Sequence, residues 1–137
     1  MTKVFVDTDV CLDLLSGRKP FNKTAEILFS LADNRKVKIY VSSLSFSNID
    51  YVLRSQYSST HSRQLIGKFK TLVHVLSVDS KTIDLAIASD FNDFEDAIQY
   101  SCALENNLTN IITRNVKDYK KATIAILTPE AFIALPD

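Results

Sequence analysis

Val4-Phe5-Val6-Asp7-Thr8-Asp9-Val10 is the stretch that decides how the chain is read. Apolar residues of high β propensity run without alternation straight into two carboxylates. A short apolar run of this kind predicts a strand buried on both faces. Cys11, Leu12, Leu14 and Leu15 follow as an apolar helical stripe, so a helix is expected next. In open parallel sheets, ligands bind outside the carboxyl ends of the strands. Asp7 therefore stands where an α/β fold places its chemistry. Such a carboxylate, at the end of a buried strand, needs a cation or hydrogen bonds to offset its lost hydration.

The rest of the chain repeats the alternation. Asp9 is a candidate cap for the first helix, and Gly17 its stop. Asn22 is a candidate cap for a second helix, with Ala25, Ile27, Leu28, Leu31 and Ala32 inward. Strands are predicted at Val37–Val41, Val73–Leu76, Asn110–Thr113 and Ala122–Leu127. Helices are expected after Ser42 or Ser43, from Ser62 to Lys70, after Asp79 or Ser80, from Phe94 to about Leu104, and from the Thr128-Pro129-Glu130 start. Strand and helix alternate throughout, which predicts one α/β domain over residues 1–137, a parallel sheet with helices on both faces.

Composition narrows the function classes. Apolar residues make up 46% and charged residues 23%, the profile of a water-soluble globular chain. Sixteen basic and sixteen acidic side chains cancel, so nucleic-acid binding must rest on a local patch. No apolar run approaches the ~18 residues of a membrane span, and none serves as a secretory signal. A cytoplasmic location is expected, with Cys11 and Cys102 as buried reduced thiols. No Gly-rich phosphate loop is present, which removes dinucleotide and nucleoside-triphosphate readings. Ser42, Ser43, Ser45 and Ser47 are dense but lack a Gly-flanked nucleophile turn. His61 and His74 are isolated, and His74 reads as a strand residue rather than a ligand.

Acids are the remaining signal. Asp93, Glu95 and Asp96 open a helix. Capping by Asp93, with acids opposing the helix dipole, explains them without chemistry. The alternative is that they cover the same corner as Asp7 and Asp118. Carboxylates gathered at one edge repel one another unless a hard cation sits among them. Oxygen ligands select Mg²⁺ or Mn²⁺, whereas Zn²⁺ favours Cys or His, which this edge lacks.

Four blocks in order resemble the PIN domain family: Val4-Phe5-Val6-Asp7-Thr8-Asp9-Val10, Val41-Ser42-Ser43-Leu44-Ser45-Phe46-Ser47-Asn48, Asp93-Phe94-Glu95-Asp96-Ala97-Ile98-Gln99, and Ile112-Thr113-Arg114-Asn115-Val116-Lys117-Asp118-Tyr119. The resemblance implies a three-layer α/β/α sandwich with a parallel five-stranded sheet in order 3-2-1-4-5. It also implies a Mg²⁺- or Mn²⁺-dependent endoribonuclease acting on single-stranded RNA, similar to VapC-type toxins, with an antitoxin protein and a homodimer as partners. Asp7 and Asp96 match family acids, and Asp118 a further acid in the same loop. Asn48 and Asn115 stand where acids are usual, and Thr113 matches a hydroxyl supporting the first acid. The implied ion ligands are Asp7, Asp96 and Asp118, with Asn48 and Asn115 orienting water or phosphate. Asp9, Asp93, Glu95 and Asp118 would partly compensate the missing charge. Arg18, Arg54, Arg63 and Arg114 are candidates for the RNA backbone, and Tyr51, Tyr57 and Tyr119 for base stacking. The segment Phe46–Leu53 and the pair Phe69/Leu72 are candidate dimer elements.

Two other readings stay open. With two amides replacing acids, the chain also reads as a catalytically weakened PIN-like module that binds RNA or protein. Asp7-Thr8-Asp9 after an apolar strand also resembles the nucleophile motif of haloacid dehalogenase-type phosphatases. Cys11 stands where that family expects Thr or Val, and the chain is shorter than its usual size.

Overall fold

In the computed structural model, which describes residues 1–136, the opening stretch forms β1 (Thr2–Val6), with Val4, Phe5 and Val6 fully buried. The remaining strands are β2 (Val37–Ser42), β3 (His74–Leu76), β4 (Asn110–Ile112) and β5 (Ala125–Leu127). All pair in parallel in the order β3-β2-β1-β4-β5, as the family resemblance implied. β1 is central, flanked by β2 and β4. Its end therefore lies beside the ends of two strands that come from distant parts of the chain.

Side-chain alternation divides the core between the two faces of the sheet. Val4, Val6, Ile39, Val41 and Ile112 pack with α1 (Thr8–Leu15), α2 (Asn22–Asp33), α3 (Ser43–Leu53), α4 (Ser59–Lys70) and α7 (Pro129–Ile133). Phe5 and Ile111 point to the opposite layer, against Tyr100, Cys102 and Ala103 of α6 (Phe94–Glu105) and against Tyr119. α5 (Ser80–Ala88) packs onto α6 through Ala86, Ala97 and Ile98. Cys11 and Cys102 are buried and unpaired.

Several boundaries differ from the sequence reading. Asp7, not Asp9, caps α1: it keeps extended backbone and accepts from the Thr8 N–H. α2 has Phe21 at its cap position and no side-chain cap bond, so Asn22 lies inside the helix. α4 begins at Ser59 because the Ser58 hydroxyl accepts from the His61 N–H. β5 shortens to Ala125–Leu127, and Val116–Tyr119, expected as a loop, closes into a 3-10 turn. Asp79, Asp93 and Thr128 cap their helices as their sequence positions suggest.

The candidate dimer elements are largely internal. Ile49, Leu53 and Phe69 are buried, and Phe69 packs against Phe29 and Phe46 at ring separations of 5.5 and 6.0 Å. Their apolar surface is used within the chain, joining α3 and α4 to the sheet. Tyr51 is the exposed aromatic of α3.

Candidate active site

The site is built outward from Asp7. Asp7 is 6% exposed and follows directly on the buried end of β1. Its hydration is replaced by protein donors from widely separated segments. Oδ1 accepts from the Thr8 N–H at 2.7 Å and the Gln99 Nε2–H at 2.8 Å. Oδ2 accepts from the Thr113 hydroxyl at 2.8 Å and the Tyr119 hydroxyl at 3.3 Å. Thr113 follows β4 directly, so the β1–β4 pairing sets its distance from Asp7. Gln99 comes from α6, one helical turn beyond Asp96, and that spacing places both on one face.

Asp96 reaches the same point. Its Oδ1 lies 3.5 Å from the Tyr119 hydroxyl, so Asp7 and Asp96 share one phenol. The Asp96 N–H is held by Asp93 Oδ1 at 3.0 Å, the capping bond that starts α6. Asp93 thus has a structural role that also fixes the neighbouring acid.

Each of the amides that stand in place of acids holds a carboxylate. Asn48 Nδ2–H donates to Glu95 Oε1 at 2.9 Å, and Asn115 Nδ2–H donates to Asp9 Oδ2 at 3.0 Å. Asn48 belongs to α3, and α3 is tied to the end of β1 by the Thr8–Ser45 hydroxyl bond of 2.7 Å. The dense serines are therefore partly structural: Ser42 and Ser45 are fully buried.

Crowding of like charge shows in the acids' proton affinities. Burial, then the Asp7 charge, pushes Asp9 up to about 7. Burial, then Asp7 and Asp93, pushes Asp96 up to about 7 as well. Glu95 is raised by the same two causes, and the Asn48 bond opposes the rise. Asp7 is raised by burial, against the lowering effect of its donors.

Asp118 lies further out. It is exposed on the 3-10 turn, and its charge adds to the rise at Asp96. With Asp90, Asp93, Asp96, Lys117, Lys120 and Lys121 it lines a cleft of about 380 Å³. The lysines were not singled out from the sequence. The arginines that were singled out are partly engaged elsewhere. Arg114 forks onto the buried Asp13 at 2.7 and 3.3 Å and lies 4.0 Å over the Phe21 ring, and Arg54 pairs with Asp50 at 3.1 Å. Tyr119, a stacking candidate, is 1% exposed and faces the acids instead of solvent.

Among the described residues, no three Asp, Glu, His or Cys side chains converge into a ready-made cation cage. The donor chemistry nonetheless suits a hard divalent cation. The polar groups are carboxylate, amide and hydroxyl oxygens. Among the described residues, the buried Asp9 Oδ1 and Gln99 Oε1 have no hydrogen-bond partner. Buried oxygens left without donors are what a cation or ordered water satisfies.

The PIN domain family pattern matches residues 3–117. The chain belongs to the PIN domain family. Its fold is shared with a toxin–antitoxin complex from Klebsiella pneumoniae: 19% identity, TM-score 0.70, over 92% of this chain and 97% of that one. VapBC2 from Rickettsia felis, bound to a DNA fragment from its promoter, is similar at 16% identity and TM-score 0.65, over 92% and 97%. VapC20 from Mycobacterium tuberculosis, described as a sarcin–ricin loop cleaving toxin, is similar at 17% identity and TM-score 0.63, over 79% and 86%. Among curated protein sequences, none matches this PIN domain.

Against that family frame, Asp7, Asp96 and Thr113 meet at one point, and Asn48 and Asn115 reach the same edge through Glu95 and Asp9. Gln99 and the inward role of Tyr119 escaped the sequence reading. The Asp96/Gln99 spacing was the available signal for the first. No local signal distinguishes a buried Tyr from a rim Tyr after a polar turn.

Proposed function

We propose that this PIN domain is an endoribonuclease that hydrolyses phosphodiester bonds of single-stranded RNA with Mg²⁺ or Mn²⁺. The supporting observation is the convergence of Asp7 and Asp96 on one hydroxyl at the carboxyl end of the central strand. Asp7, Asp96 and Asp118 would hold the ion, directly or through water. When bound, the ion supplies Lewis acidity and an activated water.

The chain's own residues do the rest. Thr113 and Gln99 hold the Asp7 carboxylate in one orientation. Asn48 and Asn115 anchor Glu95 and Asp9, and their free carbonyl oxygens can accept from a water. Lys117, Lys120 and Lys121 flank the acids and offset phosphate charge along the cleft. Water attacks phosphorus, the bridging P–O bond breaks, and the departing oxygen takes a proton from solvent.

The Klebsiella and Rickettsia complexes support an antitoxin protein as partner, and toxin–antitoxin pairing as the setting. A homodimer and a cytoplasmic location belong to the same reading. Among the described residues, no helix is long and apolar enough to cross a membrane.

A second reading, a catalytically weakened module that binds RNA or protein, is favoured by the amides at Asn48 and Asn115 and by the lack, among the described residues, of a third acid gathered with Asp7 and Asp96. Cleavage of a mixed single-stranded RNA pool in Mg²⁺ or Mn²⁺ separates the two. The nuclease reading expects cleavage by wild type that Asp96→Asn lowers on the order of 100-fold. Equal residual cleavage by both proteins removes it.

A further inference from the structure

Asp7 has no lone pair to spare. A carboxylate offers about four acceptor sites. Those of Asp7 are taken by Thr8, Gln99, Thr113 and Tyr119. An ion that binds Asp7 must therefore take the place of one donor.

The donors are unequal. The Thr8 N–H belongs to the first turn of α1, at 2.7 Å. Gln99 is 1% exposed on α6 and Thr113 is fully buried beside β4, each at 2.8 Å. Tyr119 is also 1% exposed, but it makes the longest contact, 3.3 Å, from a four-residue 3-10 turn whose other residues, Val116, Lys117 and Asp118, are exposed. Its oxygen also lies 3.5 Å from Asp96 Oδ1. A phenol carries one proton and cannot donate to both acids at once.

We infer that the Tyr119 hydroxyl is a placeholder for the cation, occupying the position on Asp7 and Asp96 that the ion takes, so that the two compete. This rests on the nuclease reading above and deepens it. In the metal-free protein the phenol separates two carboxylates that repel each other. When the ion binds, the phenol withdraws. Asp118 precedes Tyr119 in the turn, so withdrawal of the ring repositions the outer acid too.

The test uses the full chain, stripped of metal and titrated with Mn²⁺ while free Mn²⁺ is followed by electron paramagnetic resonance. Tyr119→Phe keeps the buried ring and removes the competitor. Its Mn²⁺ affinity is expected to rise about fivefold over wild type, the factor equivalent to about 1 kcal/mol for one hydrogen bond. Tyr100→Phe is the control. Tyr100 lies in the same core cluster, but its hydroxyl meets Thr123 at 3.0 Å and no acid. It should lower stability and leave Mn²⁺ affinity unchanged.

A second measurement needs no variant. On saturation of wild type with Mg²⁺, the Tyr119 Cζ resonance should shift while that of Tyr100 stays. Unchanged or weaker Mn²⁺ binding by folded Tyr119→Phe overturns the inference, as does a Tyr119 resonance that stays put at saturating Mg²⁺. If wild type binds and the variant gains nothing, the inference falls and the nuclease reading stands. If neither protein binds Mn²⁺, both fall together.

Discussion

Asp7 and Asp118 bear on the same candidate site but are held in opposite ways. Asp7 is 6% exposed and accepts from four donors, while Asp118 is exposed and, among the described residues, its carboxylate has no protein partner. The inner acid is part of the fold, because removing it strands buried donors. The outer acid is a solvated charge that the fold does not need. Asp96 lies between them, half-exposed and linked inward through Tyr119. One gradient, from structural to free, thus runs across a single edge, and substitutions along it should separate stability from function.

The largest effect is expected at the inner end. Asp7→Ala leaves Gln99, Thr113 and Tyr119 facing a void, and should cost about 3 kcal/mol of unfolding free energy, besides abolishing RNA cleavage. Chemical denaturation checks the first part. Arg114→Ala comes next. It strands Asp13, whose side chain is 1% exposed, and should cost about 2 kcal/mol, less than a fully buried pair because Arg114 is 24% exposed. Asp96→Asn should break the correlation between stability and function. Its cleavage rate falls on the order of 100-fold. Its metal-free stability does not fall, because the neutral amide removes repulsion from Asp7 and Asp93. Asp118→Asn should lower cleavage by about tenfold, the scale of an outer ligand acting through water, with no change in melting temperature.

The metal-free protein should also show a pH dependence. Asp9 and Asp96 rise from an ordinary value of 3.8 to about 7 on folding. The folded state therefore binds more protons than the unfolded state between those values. That contribution is fully present below 3.8 and is lost as pH rises through about 7. The melting temperature should fall between about pH 5 and about pH 8. Asp96→Asn should flatten that slope. A slope of the opposite sign would show that burial and like charge do not raise these acids in solution.

The sheet was more legible in the sequence than the site. Val4-Phe5-Val6 announced a strand buried on both faces because its chemistry is local: no polar residue interrupts it. Capping residues such as Asp79, Asp93 and Thr128 were readable because they act within one turn of themselves. The strand order came from resemblance, since pairing of β1 with β4 depends on contacts about a hundred residues apart, which no local pattern carries. The same distance hides the shell around Asp7. Gln99 and Tyr119 look ordinary in their own segments, and only the folded sheet turns them toward one carboxylate. Asp9 was expected as a cap because Asp and Asn favour that position, but Asp7 was two residues nearer the strand and took it. Arg114 was one of four candidates for the RNA backbone, and its pairing was hidden because the acid it serves, Asp13, sits on another element.

The central place of β1 has a consequence for how the protein comes into being. A ribosome that has released only β1, β2 and β3 has made one side of the sheet, yet β4, Thr113, Gln99 and Tyr119 do not exist outside it. Asp7 precedes its surroundings in the chain: Gln99 lies 92 residues after it and Thr113 lies 106 after it. A nascent chain therefore cannot assemble the edge before α6 and β4 have emerged.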